Sequence, residues 1–298
     1  MGVLGAVAIL AVCLSLSWAI QINGKLAKGK RDCDFYHGEW RYDESYPLYD
    51  SAKCNFIENQ FNCLKNDRPD RSYLKYMWQP SFCNLPRYSY NATFMLYRSG
   101  FLVDIKDTKL GRVLDLGSIE GGKSWRNVDT LIFNTWHWWL HTGRKQRWDF
   151  IQHGSKMYKD MDRLVAFEKA LTTWAKWVDS NVDTTKTKVV FQGISPDHSN
   201  ASDWGKPNEK GCVNQNQPFV GHDYPAGQHP AEVVLERVLE QMKTPVYLLN
   251  VTRLSQLRID GHPSYYGGYH RIADCSHWCL AGVPDTWNQL LYATLFQS

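Results

Sequence analysis

Asp274 and His277 stand three positions apart in the run Asp274-Cys275-Ser276-His277-Trp278-Cys279. A carboxylate that accepts an imidazole Nδ1–H fixes the ring tautomer and leaves Nε2 free to take a proton from a hydroxyl nucleophile. That is the acid–base half of serine acyl transfer. The bland alternative is a surface carboxylate beside a structural histidine, and a spacing this common does not decide between them. Cys275, His277 and Cys279 alternate and bring zinc to mind. Zinc ligands are usually spaced more widely, however, and a disulfide-forming compartment removes the thiolates, so no metal is expected.

The nucleophile is harder to find. No Gly-x-Ser-x-Gly and no Gly-Asp-Ser occurs anywhere in the chain. Ser195 is followed directly by Pro196 with no helix to make a nucleophile elbow, and Asp179-Ser180 lacks the glycine and falls at a helix end. Asn134, in Asn134-Thr135-Trp136-His137-Trp138-Trp139, offers a side-chain amide to an oxyanion, with His137 and Trp138 beside it for a sugar. The competing reading of that run is a buried aromatic cluster capping a strand.

These residues need elements to hold them. Short apolar runs rich in Val, Ile, Leu and Phe predict strands over Phe101–Ile105, Asp129–Phe133, Lys188–Gln192 and Val246–Asn250. Met161–Val178 carries apolar residues near helical spacing, and Pro230–Met242 begins with proline and acidic residues, as helices do. Strand–helix alternation predicts an α/β layered sheet, in which ligands sit beyond the carboxyl ends of the strands. Asn134 and Ser195 both follow such strands. Residues 33–87 differ: polar, cysteine-dense and without a long apolar period, they read as a disulfide-stapled, loop-rich module.

The chain has 298 residues, 43% of them apolar, which is enough for a large core. Its 34 cations against 30 anions are too evenly balanced for a nucleic-acid binder, so no nucleic-acid partner is expected. An uncharged apolar run within residues 1–20 reads as a signal peptide or signal anchor, followed by a linker over 21–32. Any membrane contact is expected only through that segment, if it stays uncleaved. Sequons at Asn91, Asn200 and Asn250 agree with passage through the secretory pathway. Seven cysteines follow the leader: Cys33, Cys54, Cys63, Cys83, Cys212, Cys275 and Cys279. An odd number leaves one thiol unpaired.

The longer motifs resemble a known family. Cys33-Asp34, Gly38-Glu39-Trp40, Trp78-Gln79-Pro80 and Cys83-Asn84-Leu85-Pro86 look like the N-terminal block of the plant trichome-birefringence-like, or PC-esterase, proteins. Phe133–Trp139 and Gln192–Pro196 match the internal motifs of that family; Leu254–Ser264, Asp274–Cys279 and Pro284–Tyr292 match its C-terminal signature. The resemblance implies an SGNH-hydrolase-like three-layer α/β/α sheet over residues 88–298. It implies O-acetyl transfer to cell-wall polysaccharides such as xylan or pectin through an acetyl-serine, with polysaccharide acetylesterase and non-catalytic glycan binding as alternatives. Asp274 then orients the base His277, and Asn134 contributes to the oxyanion site. The implied partners are a polysaccharide acceptor and an acetyl donor, with no bound cofactor, in the Golgi lumen or membrane or else in the cell wall.

The departure from the family is large. Its Gly-Asp-Ser-Leu strand and the helix after it fall between the Cys-Asn-Leu-Pro-Arg motif and the strand that leads to Phe-Leu-Val-Asp. Here Arg87 runs almost directly into Tyr88–Asp104. At least one βα unit, on the order of thirty residues, is therefore expected to be missing, with the nucleophile and a central strand. That helix also carries a cysteine in the family, which would leave a thiol free here at Cys54 or Cys63, Cys54 being the unpaired candidate, while Cys33, Cys63, Cys83, Cys212, Cys275 and Cys279 are the disulfide candidates. Ala281, where the family has proline, is a minor change by comparison.

Overall fold

The computed structural model describes residues 33–85, 100–268 and 272–296; the leader, Asn91 and the Arg87–Tyr88 junction lie outside them. In chain order the regular elements are β1 (Asp34–Tyr42), β2 (Tyr76–Ser81), β3 (Asp104–Thr108), β4 (Gly111–Asp115), β5 (Thr130–Phe133), β6 (Phe150–His153), β7 (Lys156–Tyr158), α1 (Arg163–Asn181), β8 (Lys188–Gln192), α2 (Pro230–Glu240), β9 (Tyr247–Leu249), α3 (Thr252–Gln256) and α4 (Val283–Phe296). The class is mixed α/β. Two compact units divide the described residues, one from 100–195 and 228–252, the other from 33–85, 196–227 and 253–296.

The first unit holds a parallel sheet in the order β5-β8-β9 and a mixed sheet in the order β3-β4-β6-β7. Its β5 and β8 pair in register from Thr130↔Lys188 to Phe133↔Phe191, and β8 pairs with β9 over Val190↔Tyr247 to Gln192↔Leu249. Parallel strands are buried, which is why Val189, Val190 and Phe191 form an unbroken apolar run. Asp162 caps α1 by accepting the amides of Leu164 and Val165, each at 3.0 Å. From there Phe167, Ala170, Leu171, Trp174 and Val178 recur at helical spacing and are buried. Trp174 meets Phe133 of β5 and Phe191 of β8 edge-on, at 5.2 and 5.0 Å. Pro230 opens α2, and His229 accepts the Ala231 amide ahead of it. Asp179 accepts the amides of Lys243 and Thr244, which fixes the turn after α2.

Two expectations shift. The run Phe101–Ile105 is only partly strand: Phe101, Leu102 and Val103 are buried in an irregular bend, with Leu102 at φ 63°, and pairing begins at Asp104. The block over 33–85 is not all loop either, because β1 and β2 form an antiparallel pair from Gly38↔Pro80 to Tyr42↔Tyr76.

In the second unit that strand pair is tied to the C-terminal segment. Trp40 donates its indole N–H to the Leu254 carbonyl at 2.8 Å. Arg258 and Asp260 form a two-pronged ion pair at 2.8 and 3.0 Å with both side chains at most 1% exposed. Arg258 also covers the Trp40 ring at 4.4 Å and donates to the Tyr73 carbonyl. Arg68 donates to the carbonyls of Asp260 and His262, so no charge in this network is left without a partner.

Six cysteines are paired as Cys33–Cys83, Cys63–Cys279 and Cys212–Cys275. The expected free thiol is a correction. Cys54 is disulfide-bonded, and so is Cys63. The odd count came from leaving out Cys13, with which the chain has eight cysteines. Among the described residues no helix is long and apolar enough to cross a membrane.

Candidate acid–base site

The loop that carries Asp274 and His277 is fixed at both ends. Asp274 exchanges backbone hydrogen bonds with Ser264, at 2.8 and 2.9 Å, in an isolated antiparallel bridge. Cys275 is bonded to Cys212 and Cys279 to Cys63, so disulfides hold the chain on either side of His277. Those bonds also remove the thiolates that a zinc site would need. The Cys275 carbonyl accepts the His198 amide, and the Cys279 amide donates to the Gly261 carbonyl.

Between these anchors the loop curls around one carboxylate. His277 Nδ1 lies 2.7 Å from Asp274 Oδ2, and Oδ1 accepts the amides of Ser276 and His277 and the Ser276 hydroxyl, each at 3.1 Å. Burial alone would raise the Asp274 pKa, but the His277 ring and these amides outweigh it and hold the group well below the usual carboxylate range. A charged acceptor at Nδ1 places the ring hydrogen there and leaves Nε2 as the basic nitrogen. About a quarter of each side chain is exposed, so the dyad is reachable from solvent. The Phe61 ring packs 5.5 Å from the imidazole.

Ser276 is no substitute nucleophile. Its Oγ lies 3.5 Å from Nδ1 and is turned towards Asp274, on the wrong side of the ring for Nε2 to deprotonate it.

Asn134, His137 and Trp138 belong to the first unit, at the carboxyl end of β5. Asn134 is exposed and has no hydrogen-bond partner among the described residues. His137 sits edge-on to Trp138 and His141, and Arg147 lies over the Trp138 ring at 5.1 Å. Trp136 and Trp139 are buried core, at 5% and 0% exposure, so neither can stack on a sugar. The capping reading holds for those two. Gly193, after β8, has a packing role: a Cβ there would stand 2.9 Å from Thr252 Oγ1 and 3.1 Å from the Leu249 carbonyl. Thr252 itself, the third residue of the Asn250 sequon, is fully buried, while Asn200 is exposed and caps a short turn by accepting the Ser202 amide.

The sequence profile of a GDSL/SGNH-like acyl-esterase family, the PC-esterases found in Pmr5 and Cas1p, matches residues 50–294. The chain belongs to the PC-esterase family. Among its relatives from Arabidopsis thaliana are protein trichome birefringence-like 43, 48% identical over 90% of this chain and 89% of the relative, and protein trichome birefringence-like 39, 45% identical over 93% and 90%. Protein trichome birefringence is 34% identical over 91% of this chain and 57% of its own length. The alignment to trichome birefringence-like 43 runs over 329 positions, whereas 90% of this 298-residue chain is about 268 residues. About 60 positions of that alignment therefore have no counterpart in this chain. The disulfides and these relatives fit the secretory pathway.

Proposed function

We propose that this chain is a polysaccharide O-acetyltransferase-type PC-esterase that retains its base and has lost its acyl-carrying serine. The observation that carries the reading is the Asp274–His277 geometry, complete at 2.7 Å and held by two disulfides, in a chain without a Gly-Asp-Ser motif. The roughly 60 alignment positions without counterpart support it, and we place them at the Arg87–Tyr88 junction.

In the intact chemistry His277 Nε2 takes the serine proton as Oγ attacks the acetyl carbonyl. The same nitrogen returns that proton to the leaving group, and the acetyl-serine is then attacked by a sugar hydroxyl. Asp274 stabilises the imidazolium in both halves. Here the base remains, and the Gly-Asp-Ser motif that would present its serine is absent from the sequence. The acceptor is a plant cell-wall polysaccharide, xylan or pectin, and the compartment is the Golgi.

Intact-mass analysis of the purified chain after incubation with p-nitrophenyl acetate tests the proposal. No acetyl adduct should form, and inserting the Gly-Asp-Ser-Leu segment of a relative between Arg87 and Tyr88 should create one that His277→Ala abolishes. An acetyl-serine in the unmodified chain would overturn the loss, and release of free acetate from acetylated xylan would make the protein an esterase instead.

A further inference from the structure

Behind the dyad, in the same unit, two histidines are enclosed. His198 and His262 are 0% and 1% exposed, and His198 Nδ1 lies 2.6 Å from His262 Nε2. Their outer nitrogens face carbonyls: His198 Nε2 is 2.9 Å from the Gln256 oxygen, and His262 Nδ1 is 2.6 Å from the His277 oxygen. A carbonyl oxygen only accepts, so both outer nitrogens must carry hydrogen. Two neutral imidazoles have one N–H each. Those two are then used, and the inner nitrogens would meet lone pair to lone pair. Two of the other neutral combinations move the same deficit to one carbonyl contact, and the last leaves both carbonyls without a hydrogen and sets two hydrogens between the rings. Three contacts need three hydrogens.

We propose that His198 and His262 share a proton as a buried imidazole–imidazolium pair, and that His262, through its Nδ1–H bond to the His277 carbonyl, is a positioning residue for the Asp274–His277 dyad. The surroundings suit a cation. Trp278 stacks on His262 with ring centres 4.1 Å apart, and Trp204 and Tyr224 meet His198 edge-on. The Asp274 carboxylate favours the charge, while His277 opposes it. Arg68 donates to the His262 carbonyl, so a second cation is close to that backbone. Tyr224 is held neutral by burial, with Asp203 and Asp197 adding to that effect. Burial, and then His198, push His262 below its ordinary pKa, so desolvation works against the hydrogen count. The count prevails because a neutral pair leaves one buried contact of 2.9 Å or less with no hydrogen in it.

The shared proton is independent of the acyltransfer reading; only the positioning role rests on it. Both are tested without an activity assay, by ring-15N-histidine NMR on the full chain between pH 5 and 9. The wild type should show one strongly deshielded proton coupled to two ring nitrogens of different histidines, absent from His198→Gln. Ring nitrogens that all follow a neutral single-tautomer pattern at pH 6 would overturn the pair. In His262→Ala the low-field Nδ1–H signal of His277 should broaden and its titration midpoint shift, and His262→Gln, which keeps a donor for the carbonyl, should restore both. Unchanged His277 signals in His262→Ala with all disulfides mapped as native would overturn the positioning role. Should His262→Ala not fold, the comparison of His262→Gln with wild type decides: an altered His277 titration despite a retained donor is the overturning result.

Discussion

Cys63 is bonded to Cys279, 216 positions further along the chain and two residues beyond His277. The N-terminal block therefore holds the loop of the acid–base dyad covalently. Arg68 adds to this by donating to the Cys279 sulfur at 3.3 Å and to the His262 carbonyl at 2.9 Å.

Cutting that bond should loosen the dyad before it unfolds the rest. Cys63→Ser with Cys279→Ser is expected to lower stability by about 2–5 kcal/mol, the range for native disulfides that close long loops. The His277 Nδ1–H resonance should be lost at temperatures where far-UV circular dichroism is still native. Chemical denaturation and NMR on the same sample check both.

Single removal from the Arg258–Asp260 pair should cost more than removal of both. Asp260→Asn leaves a buried guanidinium without its counter-ion, and about 3–5 kcal/mol is expected to be lost. Arg258→Met with Asp260→Leu should recover much of it, since two desolvated charges disappear together. A double-mutant cycle of urea midpoints reads this directly.

Acid and base should act on the fold through two different carboxylates. Asp274 has its folded pKa lowered, so its contribution is present above its unfolded pKa and is lost as pH falls through the acidic range. Asp285 is the reverse: burial raises it to about 6, against the amide of Gly282 and the Tyr49 hydroxyl. Its folded form holds the proton more tightly than the unfolded one, so stability falls as pH rises from about 4 to 6 and stays lower above. Asp285→Asn should remove about 2–3 kcal/mol of that decline, measured as the difference in unfolding free energy between pH 4.5 and pH 7.

Gly193→Ala should be destabilising by about 1–3 kcal/mol, because the added carbon meets the Leu249 carbonyl and the Val251 amide, neither of which can turn away. The β8–β9 pairing lies against this position, so hydrogen exchange should rise first at Leu249.

The central strand of the parallel sheet was legible because it is buried on both faces: Lys188–Gln192 appears as a strand with the bounds that its apolar run predicts. Helix α1 was legible from its period, and its start lies at an aspartate cap. Strands β4, β6 and β7 were not, since they are short and mix polar with apolar residues; β1 is longer but equally mixed, and its partner β2 lies far along the chain. The Asp274–His277 pair was visible because it is local. The His198–His262 contact spans 64 positions and has no signature in either segment. The tryptophans after β5 were ambiguous: Trp136 and Trp139 turn inward and Trp138 only half so, a choice made by packing.

The unit that holds the dyad is written in three pieces, at the two ends of the described chain and at 196–227 between them. Synthesis runs from one end to the other, so Cys63 is made long before Cys279 exists and must wait while more than 200 residues are added. Through that interval its thiol faces Cys33, Cys54 and Cys83 as nearer partners. Correct assembly therefore belongs to the finished chain, and shuffling by a disulfide isomerase is the step on which yield should depend.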